Sequence, residues 1–162
     1  MAGSAGGFKY KVALNSISSL ENLSVALGIN IDTLHEAVNM PQAERYERSE
    51  VPKSDGSVRT IYKPHHVIRL VQRRINRRIF SNPSVVAWPD HLYGSIPNHN
   101  KQFGEVVSRD YISCARCHCR SKSILKVDIK DFFDNVHSDL VFGVFRDLLK
   151  YSEEVSRVLR SR

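Results

Sequence analysis

Ile124-Leu125-Lys126-Val127-Asp128-Ile129-Lys130-Asp131-Phe132-Phe133 places a carboxylate inside a mostly apolar run. Ile124, Leu125, Val127 and Ile129 are branched or apolar and no breaker interrupts them, which predicts a β-strand. Asp128 stands inside this apolar run. A carboxylate buried there is costly unless a cation or strong donors compensate it. Two explanations fit: a strand-end aspartate that caps a turn, or a magnesium ligand, because a hard cation takes one or two carboxylates and leaves room for substrate phosphates.

The composition around it is globular: 41% hydrophobic and 25% charged over 162 residues, enough for one ordinary domain with a sizeable core. A net charge of +7 and a pI near 9.5 point to an anionic partner. No apolar run approaches the roughly 18 residues of a membrane span. The start, Met1 to Gly7, has neither the charged nor the apolar region of a signal peptide, and is read as part of a flexible tail over 1–15. Three cysteines within six residues are no disulfide framework, and a cytoplasmic setting is expected.

Two helical patterns occupy 16–45. Leu20, Leu23 and Leu27 share one face and Ile31, Leu34 and Val38 another, with Gly28 suited to the C-cap of the first helix and Asp32 or Thr33 to the start of the second. The arrangement imitates a helix-turn-helix. The second helix, Thr33 to Asn39, nevertheless carries no Arg or Lys for phosphates or bases, which favours a packing role.

Between Tyr46 and Pro64, Asp55-Gly56 signals a hairpin turn whose central positions favour positive φ, and Val58, Thr60 and Tyr62 alternate as in a strand. Lys53 and Arg59 flank the turn, where two cations can grip a triphosphate or simply keep the hairpin solvated. His65 to Phe80 reads as a helix with an apolar stripe of Ile68, Val71, Ile75 and Ile79. Arg69, Arg73 and Arg77 run beside the stripe, with Arg74 and Arg78 on its flank. The segment 53–80 carries eight Lys or Arg and one Asp, the net charge of the whole chain. Unpaired, such a ladder repels itself, so contact with a nucleic-acid backbone is favoured over a merely solvated face.

Pro83 and Pro89 break the 81–90 loop. Cys114-Ala115-Arg116-Cys117-His118-Cys119 offers zinc ligands, but no second ligand cluster exists to close a structural site, so a helix end with Cys114 and Ala115 packed inward is preferred. Asp134-Asn135 suggest a turn and Ser138 a helix cap. Val141, Val144, Phe145, Leu148 and Leu149 form one amphipathic face, and Ser152 opens a last helix with Glu153 and Glu154 in its first turn. Asp131, Asp134, Asp139 and Asp147 are assigned solvated or capping roles.

The motifs together resemble the reverse transcriptases, in particular prokaryotic ones of the retron and antiphage-defence type. Val127-Asp128-Ile129-Lys130-Asp131-Phe132-Phe133 resembles their first catalytic motif. Pro52-Lys53-x-Asp55-Gly56-x-x-Arg59-x-Ile61-x-x-Pro64 resembles their fingers hairpin, and Leu20-x-x-Leu23-x-x-x-Leu27-Gly28-Ile29 their opening helical segment. His91-Leu92-Tyr93-Gly94-Ser95 looks like a template-contacting block, and Cys114-Ala115-x-x-His118 stands where Asn-Ala-x-x-His is usual. Ile96 to Lys101 departs from the basic Gly-Arg-Ser-like continuation.

The resemblance implies an α+β fold. Fingers (a β-hairpin plus helices, 46–122) would follow the helical segment 16–45, and the beginning of a right-hand polymerase palm would occupy 123–162. It further implies that Asp128 and the Ile129 carbonyl hold Mg2+, that Lys53 and Arg59 contact dNTP phosphates, and that Phe133 excludes a 2′-hydroxyl. Arg69, Arg73, Arg74, Arg77, Arg78 and Gly94 would meet template RNA or an RNA/DNA duplex. Two-metal chemistry needs further carboxylates; the family's Tyr-x-Asp-Asp and Pro-Gln-Gly blocks are absent from these residues. A C-terminal half of the polymerase, as a separate polypeptide or missing part, is therefore an expected partner. A non-catalytic RNA-binding module derived from the same fold is the alternative.

Overall fold

In a computed structural model, residues 11–100, 106–130, 132–133 and 135–160 are described. The sequence readings placed on residues 1–10, Lys101, Asp131 and Asp134 lie outside them. Helix α1 (Leu20–Leu27) starts at Ser19, whose hydroxyl accepts the Asn22 N–H, and stops at Gly28, φ +62°, whose N–H returns to Ser24 and Val25 carbonyls. Only glycine takes that left-handed conformation without steric cost. Asn30, two residues before Asp32 and three before Thr33, where the start was expected, caps α2 (Ile31–Asn39) through its side-chain oxygen. Arg45, at the end of the short α3 (Gln42–Arg45), donates to the Val38 and Met40 carbonyls and so closes the C-terminus of α2.

Strands β1 (Tyr46–Pro52) and β2 (Val58–Pro64) pair antiparallel, with Tyr46 opposite Pro64 and Pro52 opposite Val58. The turn differs from the expected one. Gly56 has φ +82° but Asp55 has no positive φ. The Gly56 N–H reaches the Lys53 carbonyl at 3.1 Å and the Lys53 N–H reaches the Ser57 carbonyl at 2.7 Å. This is a three-residue loop closed by a glycine bulge, which asks for one left-handed residue and not two. Asp55 still serves it, accepting from Ser57 N–H (2.9 Å) and Oγ (2.6 Å). Those bonds hold its carboxyl below the usual range.

Helix α4 (His66–Ile75) follows and continues as a π-helical turn over Asn76–Phe80. Helix α5 spans Tyr111–Cys117. Helix α6 (Ser138–Gly143) has His137, not Ser138, at its cap position and continues as a π-helical turn over Val144–Leu148. Helix α7 (Glu153–Arg160) begins, as expected, after Ser152, whose hydroxyl accepts the Val155 N–H.

One hydrophobic core gathers residues from segments far apart in sequence. Leu23, Leu27 and Leu34 come from the first helices, Ile79 and Val86 from the middle, and Phe145, Leu149, Tyr151 and Val155 from the end. Burial pushes the Tyr151 phenol up to about 12, because a phenolate loses its hydration there. The expected α4 stripe faces inward: Ile79 is buried, and Ile68, Val71 and Ile75 pack against buried residues. The segment read as a tail is docked from Lys11 onward. Lys11 bridges Val86, the Val12 N–H meets the Val85 carbonyl, and Ile17 accepts from the Ser152 N–H.

The apolar run around Asp128 departs from its prediction. Residues 123–129 form no strand, and Ile124, Leu125, Val127 and Ile129 are exposed. Strand propensity describes how well a side chain fits a pleated, half-buried surface. No neighbouring strand offers that surface among the described residues, so the segment's side chains stay in solvent.

Candidate nucleic-acid interface and catalytic motif

Lys53 and Arg59 are both exposed at the closed end of the hairpin, Arg59 opposite Val51. Neither forms an ion pair with an acid among the described residues. Below them, the base of the hairpin meets α4 at a groove of about 480 Å³, lined by Glu47, Lys63, His66, Leu70, Arg69 and Arg73. Of its seven lining residues, Pro64 included, four carry basic side chains, against one carboxylate. Lys63 and His66 are the members that sequence reading missed. Their signal was register, since the strand end and the helix start share one wall only after the hairpin folds back.

The five arginines of this region are not equivalent. Arg69, Arg73 and Arg77 are exposed and meet no carboxylate among the described residues. Arg74 is half-buried. Arg78 is exposed too, but its guanidinium lies over the C-terminus of α1, so that a Cβ placed on Gly28 would sit 2.9 Å from its Nη2. A cation at a helix C-terminus is favourably placed against the helix dipole, which gives Arg78 a packing role that the sequence stripe did not disclose.

Gly94 has φ +108°, and nothing lies within 4 Å of where a Cβ would stand. Its outward side is open, as close backbone approach requires. Its N–H is already given to the Arg109 carbonyl (2.8 Å), while its own carbonyl accepts from Ile96 (2.8 Å). Tyr93 Oη lies 3.1 Å from Cys117 Sγ, tying this loop to α5; that contact raises the Tyr93 hydroxyl above its ordinary value. Cys114 is half-buried as expected, whereas Ala115 faces solvent, a correction that follows from α5 covering the loop with one side only. Cys119 Sγ turns back to the Ala115 carbonyl.

Asp128 is exposed, and its Oδ1 accepts from the N–H of Ile129 at 3.0 Å. The expected desolvation therefore does not arise in this chain. Phe133 is 85% exposed, with the Phe132 ring edge-on at 5.3 Å. As magnesium donors, the Asp128 carboxylate and the Ile129 carbonyl fit in kind, being hard oxygens. They fall short in number, and no group of three or more His, Cys, Asp or Glu able to hold a metal occurs among the described residues. Nor is any helix among the described residues long and apolar enough to cross a membrane.

No family model and no solved structure matches the chain. Among curated proteins it is 46% identical over 143 residues to the Retron Ec48 reverse transcriptase of Escherichia coli, covering 88% of this chain and 35% of that one. It is 30% identical over 138 residues to the Retron Mx162 reverse transcriptase of Myxococcus xanthus, covering 82% and 25%. The Retron Se72 reverse transcriptase of Salmonella heidelberg (strain 579083-10) matches at 27% over 146 residues, covering 88% and 34%. The chain is thus a homologue of the retron reverse transcriptases, spanning a quarter to about a third of the length of these curated relatives.

Proposed function

We propose that the chain forms the fingers and the first palm segment of a cytoplasmic RNA-directed DNA polymerase. The homology to retron reverse transcriptases carries this assignment. In it, a primer 3′-hydroxyl attacks the α-phosphorus of a dNTP, a new P–O bond forms, and pyrophosphate leaves. Lys53 and Arg59 hold the triphosphate at the hairpin end, where their charges offset charge that builds on the departing phosphates. Arg69, Arg73 and Arg77, joined by Lys63 and His66, follow the RNA backbone. Phe133 sets its ring against the sugar and excludes a 2′-hydroxyl.

Asp128 and the Ile129 carbonyl are the ligands this chain contributes. Magnesium, when bound, neutralises phosphate charge and lowers the pKa of the attacking hydroxyl. The remaining carboxylates come from palm residues beyond these 162. A service in antiphage defence belongs to the same proposal.

The shortage of carboxylates also favours a second reading, a non-catalytic RNA-binding module. Primer extension separates the two. The chain alone is expected to incorporate no dNTP, and addition of a polypeptide carrying the Tyr-x-Asp-Asp hairpin is expected to restore synthesis. Continued inactivity of a complex that forms and binds RNA would favour the module.

A further inference from the structure

We propose that Arg109 is a positioning residue that locks the 88–98 loop into the shape presenting Gly94 to nucleic acid. The proposal rests on the template role given to Gly94 above. Arg109 is 3% exposed, and taking a guanidinium out of water costs several kcal/mol unless its donors are matched. The loop supplies the match. Nη1 donates to the Pro89 carbonyl at 2.5 Å and the Leu92 carbonyl at 3.4 Å; Nη2 donates to Asp90 Oδ1 at 3.1 Å and the Trp88 carbonyl at 3.4 Å. Asp90 is 89% exposed, so solvent weakens that ion pair, and the carbonyls are the partners that fix geometry.

The Arg109 backbone adds two more ties. Its carbonyl accepts the Gly94 N–H at 2.8 Å, and its N–H donates to Asn98 Oδ1 at 3.1 Å. A single residue thus fastens the loop at Trp88, Pro89, Asp90, Leu92, Gly94 and Asn98. The guanidinium at the centre of this set is buried, while the side of Gly94 where a Cβ would stand stays clear. Because the Gly94 N–H and carbonyl are both engaged within the loop, a nucleotide meets it through close van der Waals approach. The position of the backbone, set from behind by Arg109, then decides the fit. A lysine cannot replace the planar fork, because one ammonium cannot reach separated carbonyls along the same two directions.

The test uses the full chain, a labelled RNA hairpin with a single-stranded extension, and Arg109→Lys, Arg109→Gln and Asn98→Ala variants. Amide hydrogen exchange at Gly94 and Ile96 is expected to rise about tenfold in Arg109→Lys, with the β1–β2 hairpin unchanged. RNA affinity should fall about fivefold with an unaltered salt slope, because no phosphate-facing cation is lost. Combined with Gly94→Ala, Arg109→Lys should cost little more than Gly94→Ala alone, since both act at one contact.

Unchanged exchange at Gly94 and Ile96, a slope change of about one, or full additivity with Gly94→Ala would each overturn the proposal. Should both Arg109 variants unfold, Asn98→Ala decides, expected to raise exchange at Gly94 and overturning the proposal if it does not. Failure of the wild-type chain to bind RNA would instead overturn the template assignment beneath it, visible in the wild-type arm alone.

Discussion

The hairpin at 46–64 and the motif at 124–133 carry sequence signals of similar strength, and only one of them becomes a sheet. The hairpin brings its partner with it. Asp55 and Gly56 set the turn, and each residue of one strand lies opposite a partner within twenty positions. The motif has the apolar side chains of a strand and no neighbour to pair with among the described residues, so Leu125 stays 87% exposed. Local turn chemistry can create a sheet unaided, whereas a palm strand needs its non-local neighbours before its side chains gain anything from lying flat.

The largest effect that would break this comparison lies at Asp128. In a polymerase completed by Tyr-x-Asp-Asp palm residues, Asp128→Asn should lower primer extension at least about a thousandfold and leave RNA affinity unchanged. Asn keeps the shape and removes the charge, so retained synthesis would deny the motif its catalytic place. In the same complex the amides of 124–129 should pass from unprotected to protected against hydrogen exchange, while those of 46–64 are protected throughout. Equal protection in the isolated chain would remove the contrast between the two regions.

A smaller effect sharpens the other side. Replacing Arg69, Arg73 and Arg77 with Gln should weaken RNA binding and flatten its logarithmic salt dependence by about two to three units, as released counterions require. Because Arg78 packs over α1, Arg78→Gln should instead lower the melting temperature. A salt slope that moves with Arg78 and not with the other three would reverse that division.

These contrasts explain what was legible. The Gly28 and Ser152 caps, the α4 stripe and the hairpin are written in neighbouring residues, and Gly28, Asp55 and Gly56 act within four positions of themselves, whereas the caps of α2 and α6 fall at Asn30 and His137. Arg78 and Arg109 were not legible in their roles. Their partners, Gly28 and the carbonyls of 88–92, lie about fifty and twenty positions away and offer backbone, which has no residue-type signature. The strand at 124–129 failed for a related reason: propensity names a preference and cannot supply a neighbour.

The core sets a pH limit that separates its stability from the motif's. Tyr151 titrates at about 12 in the folded chain and near 10 when unfolded. Its neutral form therefore stabilises the fold fully below pH 10, and that contribution disappears as pH rises through 12. Wild type should lose several degrees of melting temperature across this window. Tyr151→Phe should lose less, and an identical decline would place the alkaline transition elsewhere.

The smallest expected change is the most direct comparison of the two regions. Gly56→Val puts a β-branched residue at φ +82°, a conformation costing about 1–2 kcal/mol for such a side chain. The hairpin should lose that much in denaturant unfolding followed by exchange at β1 and β2. Leu125→Ser, by contrast, alters a side chain already in water, so in the isolated chain the change should stay within about 0.5 kcal/mol. In the completed polymerase the same substitution should cost about 2 kcal/mol or more, because Leu125 then leaves a cavity in a packed sheet face. A large loss from Leu125→Ser in the isolated chain would mean that the motif already contributes to its fold. A small loss in both settings would mean that the segment never enters a sheet, and that the strand signal at 124–129 has some other purpose.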